Sequence, residues 1–194
     1  MMFDHDRAHR ALGHLVNLTP QHVQERLRAA GLRKRMETGG ISAQQFPLRL
    51  LKALGSSVTV STDRIAQAWS DIFTPNAPMI DALARAGRRV PLALLSNTDV
   101  MHFEFIAKKW PEVIALFEGR LALSYEVGAA KPDPAIYKRA LELVGCAQDP
   151  GNCLYVDDIA EYVSAAGALG MRALQYTTHD AFVTELAQAG LSVR

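Results

Sequence analysis

The chain has 194 residues, of which 21% are charged, and a formal net charge of +1. That length is enough to bury a core, as one domain with an insertion or as two small ones, while the balanced charge gives no long-range field favouring nucleic acid or an anionic membrane. No apolar run approaches the ~20 residues that span a bilayer and the amino terminus shows no signal-peptide apolar region, so a soluble, cytoplasmic protein is the default expectation.

From Asp4 to about Phe73 the apolar spacing is helical throughout. Asp6 is the expected cap of a helix carrying Ala8, Leu12, Leu15 and Val16 on one side. Thr19-Pro20 fits the start of a second helix, with Val23, Leu27 and Ala30 inside and a stop at Gly31. Ser42 is the expected cap of a third, bearing Phe46, Leu50, Leu51 and Leu54, and Ser61 opens a fourth with Ile65, Ala68, Trp69 and Ile72. Four amphipathic helices can bury their apolar stripes against one another as a bundle. The basic cluster Arg26, Arg28, Arg33, Lys34 and Arg35 is flanked by acidic residues and reads as a solvated helix face. Two cysteines make no disulfide framework, and with six scattered histidines zinc is not expected.

Pro75-Asn76-Ala77-Pro78 marks a boundary, giving a helical domain over 1–75 and an α/β domain over 76–194. Beyond it, helices and strands alternate. A helix over Met79 to Ala86 precedes an apolar strand, Pro91 to Leu95, that runs into Ser96-Asn97-Thr98-Asp99, and a helix with Phe103, Ile106 and Ala107 inside follows. A second strand covers Leu121 to Tyr125, and Pro132-Asp133-Pro134 starts a helix whose inner face is Ile136, Tyr137, Ala140, Leu141 and Val144. Cys153-Leu154-Tyr155-Val156 is a third buried strand that ends in Asp157-Asp158 and feeds a helix marked by Ile159, Val163, Ala166 and Leu169. A strand over Arg172 to Tyr176 and a helix over Asp180 to Ala189 close the pattern. Alternation at this spacing predicts an α/β fold with a doubly wound, parallel, Rossmann-like sheet.

In such sheets ligands gather beyond the carboxyl ends of the strands. Ser96 and Asn97 follow the first strand, Lys131 lies past the second, and Asp157 and Asp158 end the third. Hydroxyl, amide and ammonium donors suit phosphate oxygens, and adjacent carboxylates suit a hard cation such as Mg²⁺, which takes one or two protein carboxylates plus water and phosphate oxygens. Each residue alone has a plainer reading: an Asp caps helices, Ser96 and Asn97 can cap the helix after them, and Lys131 can be a solvated loop lysine. Their common placement at strand ends favours the phosphate site.

These segments resemble the haloacid dehalogenase superfamily, specifically its phosphatase-like members with a small helical cap. Leu94-Leu95-Ser96-Asn97-Thr98 is similar to the family's second motif, Gly128-Ala129-Ala130-Lys131-Pro132-Asp133-Pro134-Ala135-Ile136-Tyr137 to its third, and Tyr155-Val156-Asp157-Asp158 to its fourth. Glu37-Thr38-Gly39-Gly40-Ile41-Ser42 and Ser124-Tyr125-Glu126-Val127-Gly128 also resemble family wording. A receiver-type signalling domain uses similar residues but places its acidic pair first, so the order excludes it. The resemblance implies that Ser96 hydrogen-bonds the transferring phosphoryl group, with Asn97 adding its amide or orienting the substrate. It implies that Lys131 holds the nucleophile and phosphate together, that Asp158 ligates Mg²⁺ directly, and that Asp157 assists through water or hydrogen bonds. The family reaction runs through an aspartyl-phosphate.

The family's first motif, a strand ending in Asp-x-Asp that supplies the nucleophile, is absent from its usual place. Phe3-Asp4-His5-Asp6 has the letters, but three residues before Asp4 are too few for a typical strand and Arg7-Ala8-His9 is a poor continuation. Asp4 is therefore a poor candidate nucleophile, and Tyr162 stands where many relatives have Asn. The missing strand is the family's central one, and without it the strands ending at Asn97 and Asp157 face each other across a gap, each dry unpaired backbone group costing on the order of 1–3 kcal/mol. A sequence that begins too late is one expectation. A non-catalytic relative that closed the gap or pairs with another chain is the other, and an exposed gap favours association of copies.

The functional expectation is a Mg²⁺-dependent phosphatase acting on a small phosphorylated metabolite, in shortened form. The alternative is an inactive binding or regulatory module that keeps the phosphate pocket. Dehalogenation of a haloacid is disfavoured, because that chemistry has no use for an acidic metal pair.

Overall fold

The computed structural model describes residues 1–188, 190 and 191. They form two compact units, one of Met1–Pro75 with Thr98–Trp110, the other of Asn76–Asn97 with the residues from Pro111 on.

The first unit opens with β1 (Met2–Phe3), which pairs antiparallel with β2 (Phe73–Thr74), so a two-residue ladder joins the ends of the helical segment. Between them lie α1 (His5–Val16), α2 (Pro20–Ala30), α3 (Leu32–Glu37), α4 (Phe46–Leu54) and α5 (Thr62–Ser70). The first cap is Asp4 and not Asp6. Asp4 has extended backbone and its carboxylate accepts the Asp6 N–H at 2.9 Å, which places Asp6 already inside the helix. Gly31 stops α2 as expected, but its left-handed φ of 59° lets the chain turn straight into α3, a helix the apolar spacing did not separate. Leu12, Val16, Val23, Leu27, Phe46, Leu50, Leu54, Ile65 and Trp69 meet in one buried cluster, the stripes whose spacing predicted the helices.

After β2 the chain enters the second unit through α6 (Ala77–Ala86) and β3 (Leu94–Ser96), then returns to the first for α7 (Val100–Lys109). Asp99 caps α7 and is only 1% exposed. One of its oxygens accepts the main-chain N–H groups of Met101 and His102; the other takes the Trp69 indole N–H at 3.1 Å and stands 2.7 Å from His102 Nδ1. His102 Nε2 lies 3.0 Å from the Trp69 carbonyl oxygen. Both ring nitrogens thus face oxygen atoms. This polar knot ties α5 to α7 inside an apolar core.

The second unit continues with α8 (Pro111–Ala115), β4 (Leu121–Leu123), α9 (Ser124–Val127), α10 (Pro134–Leu143), a 3-10 turn at Pro150–Asn152, β5 (Leu154–Asp157), α11 (Ala160–Ala168), β6 (Arg172–Gln175) and α12 (His179–Gln188). Ala189, the expected end of the last helix, lies outside the described residues. Along β5, Leu154 and Val156 pack with Phe182, Val183 and Ala82, whereas Tyr155 packs with Ala122, Ile136, Tyr137 and Ala166. Successive strand residues point to opposite faces, so helices cover both sides of β5, as a doubly wound fold requires.

β3 pairs parallel with β4 and β5 pairs parallel with β6, but among the described residues β3 and β5 are not hydrogen-bonded to each other. The strands therefore form two separate ladders, divided where the family resemblance leaves a strand out. The first two predicted strands are also shorter than expected. Pro91 has no N–H for a ladder, and the β4 run ends at Leu123 because Ser124–Val127 coil into a helical turn that Gly128 closes at a φ of 75°.

Candidate active site

The carboxyl ends of β3 and β5 and the loop between α9 and α10 are joined by direct hydrogen bonds. Asn97, one residue past β3, uses its amide on the backbone of Lys131: Nδ2 donates to the Lys131 carbonyl at 3.0 Å and Oδ1 accepts the Lys131 N–H at 2.7 Å. The lysine is thereby held as if by a strand pair. Its ammonium reaches Asp157 Oδ2 at 2.6 Å, with side-chain exposures of 10% for Lys131 and 8% for Asp157. This is a nearly dry ion pair, whose formation removes two charges from water and whose disruption would leave one of them unpaired.

Asp157 is saturated. Its Oδ2 also accepts the Tyr155 hydroxyl at 2.5 Å, and its Oδ1 accepts the main-chain N–H of Ile159 at 3.0 Å. Burial pushes the Asp157 pKa up, but the Lys131 charge and the three hydrogen bonds outweigh it and hold the carboxyl below its ordinary value. Burial and then the Asp157 carboxylate drive the Tyr155 hydroxyl far up, and burial raises Tyr137 to about 12. Both phenols remain protonated donors: Tyr137 gives its hydrogen to the main-chain carbonyl of Tyr162 at 3.0 Å.

Asn97, Lys131 and Asp157 are therefore in direct contact, while Ser96 and Asp158 are the adjoining residues at the ends of β3 and β5. Ser96 pairs with Leu123 through its backbone, and its hydroxyl has no partner among the described residues. The Asp158 side chain is exposed and likewise unengaged, its main-chain oxygen taking the Gln175 side chain at 3.1 Å. No group of three or more His, Cys, Asp or Glu residues among those described could form a ready-made metal cage. The donor set still fits Mg²⁺, which keeps most of its waters and needs only one or two carboxylates. Asp158 is the free one, since both Asp157 oxygens are occupied. Asp4 belongs to the first unit, where its carboxylate caps α1 and takes Arg10 at 3.1 Å.

Three aromatic residues complete the site, and sequence reading treated two of them only as core. Tyr155 precedes Asp157 by two, which on a strand puts both on one side; that alternation was the available signal. Tyr137 lay on the inner face of its helix and gave no polar hint. Tyr162, noted as a departure from relatives, places its ring 4.9 Å from the Lys131 ammonium.

The haloacid dehalogenase-like hydrolase family model matches residues 43–170. A Mycobacterium tuberculosis (strain CDC 1551 / Oshkosh) protein named Phosphatase MT3486 is 39% identical over 162 residues, covering 80% of this chain and 71% of that protein. Among solved structures, a family enzyme of Bacteroides thetaiotaomicron, bt-2542, described in complex with magnesium and inorganic phosphate, superposes with a TM-score of 0.79 at 24% identity over 90% of this chain and 87% of its own. A predicted family hydrolase of Porphyromonas gingivalis gives 0.77 at 19% identity over 96% and 90%. The chain belongs to the haloacid dehalogenase-like hydrolases, as a phosphatase-like member. Among the described residues no helix is long and apolar enough to cross a membrane.

Proposed function

We propose that this chain is a Mg²⁺-dependent phosphatase site for a small phosphorylated metabolite in the cytoplasm. The observation that carries the reading is the Asn97, Lys131 and Asp157 linkage, which fixes an ammonium at the joined ends of two strand loops. Lys131 offsets phosphoryl charge, Ser96 donates its hydroxyl to a phosphoryl oxygen, and Asn97 holds the lysine backbone in place. Asp157 anchors the ammonium, and Asp158 would hold the metal. Magnesium, when bound, supplies further neutralisation of phosphate charge. The Bacteroides relative, described with magnesium and phosphate, supports the ligand pair.

One observation favours a second reading, a non-catalytic phosphate-binding module. Attack on phosphorus needs a free carboxylate, yet both Asp157 oxygens are hydrogen-bonded, Asp158 is the residue proposed to hold the metal, and Asp4 caps a helix. The unpaired edges of β3 and β5 favour association with a further strand or a second copy. Hydrolysis of p-nitrophenyl phosphate by this chain separates the readings. Magnesium-dependent turnover abolished by Asp158→Asn supports the enzyme; phosphate binding without turnover supports the module; neither binding nor turnover removes both.

A further inference from the structure

Lys131 has its charge partner, Asp157, on one side. Its Nζ has three donors. One goes to Asp157 at 2.6 Å, and the ring of Tyr162 stands 4.9 Å from the nitrogen. The other two N–H groups have no oxygen or nitrogen acceptor among the described residues. Tyr162 also reaches the amide that fixes the lysine backbone: Asn97 Nδ2, which donates to the Lys131 carbonyl, lies 3.4 Å from the Tyr162 hydroxyl. The Tyr162 backbone is held in turn by the Tyr137 hydroxyl. Tyr162 is the third residue of α11, in the turn directly after Asp157 and Asp158, so the element that follows the acidic pair also carries the ring.

We infer that Tyr162 is a positioning residue for Lys131: its ring holds the ammonium by a cation-π contact. The inference rests on the phosphate-site reading. Attraction of an ammonium to an aromatic face amounts to ~0.5–2 kcal/mol, or about 2- to 30-fold in affinity, and grows when the contact is dry. The ring gives the ammonium a second partner beside Asp157 without occupying an oxygen acceptor's place, which leaves a donor for a phosphoryl oxygen.

Tyr162 also packs against the buried cluster that includes Ile136, Tyr137 and Ala166, so a purely structural role has to be separated from a positioning one. The test compares wild type with Tyr162→Phe, which keeps the ring, and with Tyr162→Leu and Tyr162→Met, which keep bulk without it. Inorganic phosphate is titrated calorimetrically in the presence of Mg²⁺, and the Lys131 ε-methylene protons are followed by NMR in lysine-labelled protein, assigned with Lys131→Arg. The wild type and Tyr162→Phe should show an upfield ring-current shift of that resonance and phosphate affinities within about 3-fold of each other. Tyr162→Leu and Tyr162→Met should lose the shift and bind phosphate about 2- to 30-fold more weakly. Methionine and leucine variants that bind as wild type does, or a phenylalanine variant that falls as far as they do, overturn the inference while leaving the phosphate site standing. A wild type that binds no phosphate overturns the functional reading itself, and the inference with it.

Discussion

Replacing Lys131 by methionine keeps an apolar stem of similar length and deletes only the charge, so its effect reports on the ion pair. The pair is nearly dry, with side-chain exposures of 10% and 8% and a contact of 2.6 Å. Removing one partner of such a pair costs ~3–5 kcal/mol, because the other charge is left in a medium that solvates it poorly. Asp157 would keep the Tyr155 hydroxyl and the Ile159 N–H, which shield part of that loss, so we expect ~2–3 kcal/mol at neutral pH. The pH dependence gives the sharper signature. In the wild type Asp157 titrates below its ordinary 3.8, so its contribution is complete above that value and is lost only as pH falls through the lower, folded-state value. In Lys131→Met the largest influence holding Asp157 down is gone, and only the Tyr155 and Ile159 hydrogen bonds still oppose the burial that pushes it upward. The folded state then takes up a proton before the unfolded chain does, and the variant recovers stability relative to wild type as pH is lowered from 7 toward 5. Urea denaturation of both proteins at the two pH values measures this directly. A loss below ~0.5 kcal/mol at neutral pH, or a loss that is the same at both, would refute the buried-pair account.

Three further outcomes follow from the first unit. Asp99→Asn leaves the Trp69 and His102 donors partly unmatched in a site only 1% exposed, and should cost ~3–5 kcal/mol in chemical denaturation with altered Trp69 fluorescence; a loss under ~1 kcal/mol would contradict the hydrogen-bond knot. His5 has a buried Nε2 without a partner, and burial together with the nearby Arg33 lowers its pKa to about 4 from 6.5. Between those values the unfolded chain binds the proton and the folded one does not, so His5 makes stability rise as pH rises across that window; His5→Leu should flatten this slope in pH-dependent melting, and an unchanged slope would count against it. At Gly13 an added Cβ would stand 2.5 Å from the Leu18 carbonyl oxygen, so Gly13→Ala should destabilise by ~1–3 kcal/mol despite alanine's better helix propensity, and a raised melting temperature would be the contrary result.

Much of this arrangement was legible because polar residues interrupt otherwise apolar runs at fixed places. Ser96 with Asn97, and Asp157 with Asp158, stand at the ends of strands that are otherwise apolar but for Tyr155, so their order alone placed the loop ends together. Pairing partners were not legible. Nothing in the sequence of Lys131 announces that its backbone is gripped by Asn97, since that depends on the path of the loop. Nor does Tyr155, an aromatic in an apolar strand, reveal that its hydroxyl turns toward Asp157, although period-two alternation places both on one side. The cap of α1 lies two residues before the expected one: Asp4 and Asp6 both satisfy the capping preference, and the backbone hydrogen bond from Asp4 N–H to the Ile72 carbonyl fixes the choice through a residue far along the chain. The separation of α3 from α2 hung on one glycine conformation, invisible to apolar periodicity.

The claim on which the account turns is that the loops after β3 and β5 and the loop carrying Lys131 form one site for phosphate and magnesium. Calorimetric titration of the full chain with inorganic phosphate, with and without Mg²⁺, tests it most directly, since two ligands sharing a site must strengthen each other reciprocally. The account predicts one phosphate per chain, tighter binding with Mg²⁺ present, weaker binding in Ser96→Ala, and loss of the magnesium effect in Asp158→Asn. Phosphate binding that ignores magnesium and survives both substitutions unchanged, or no saturable binding at all, would contradict it.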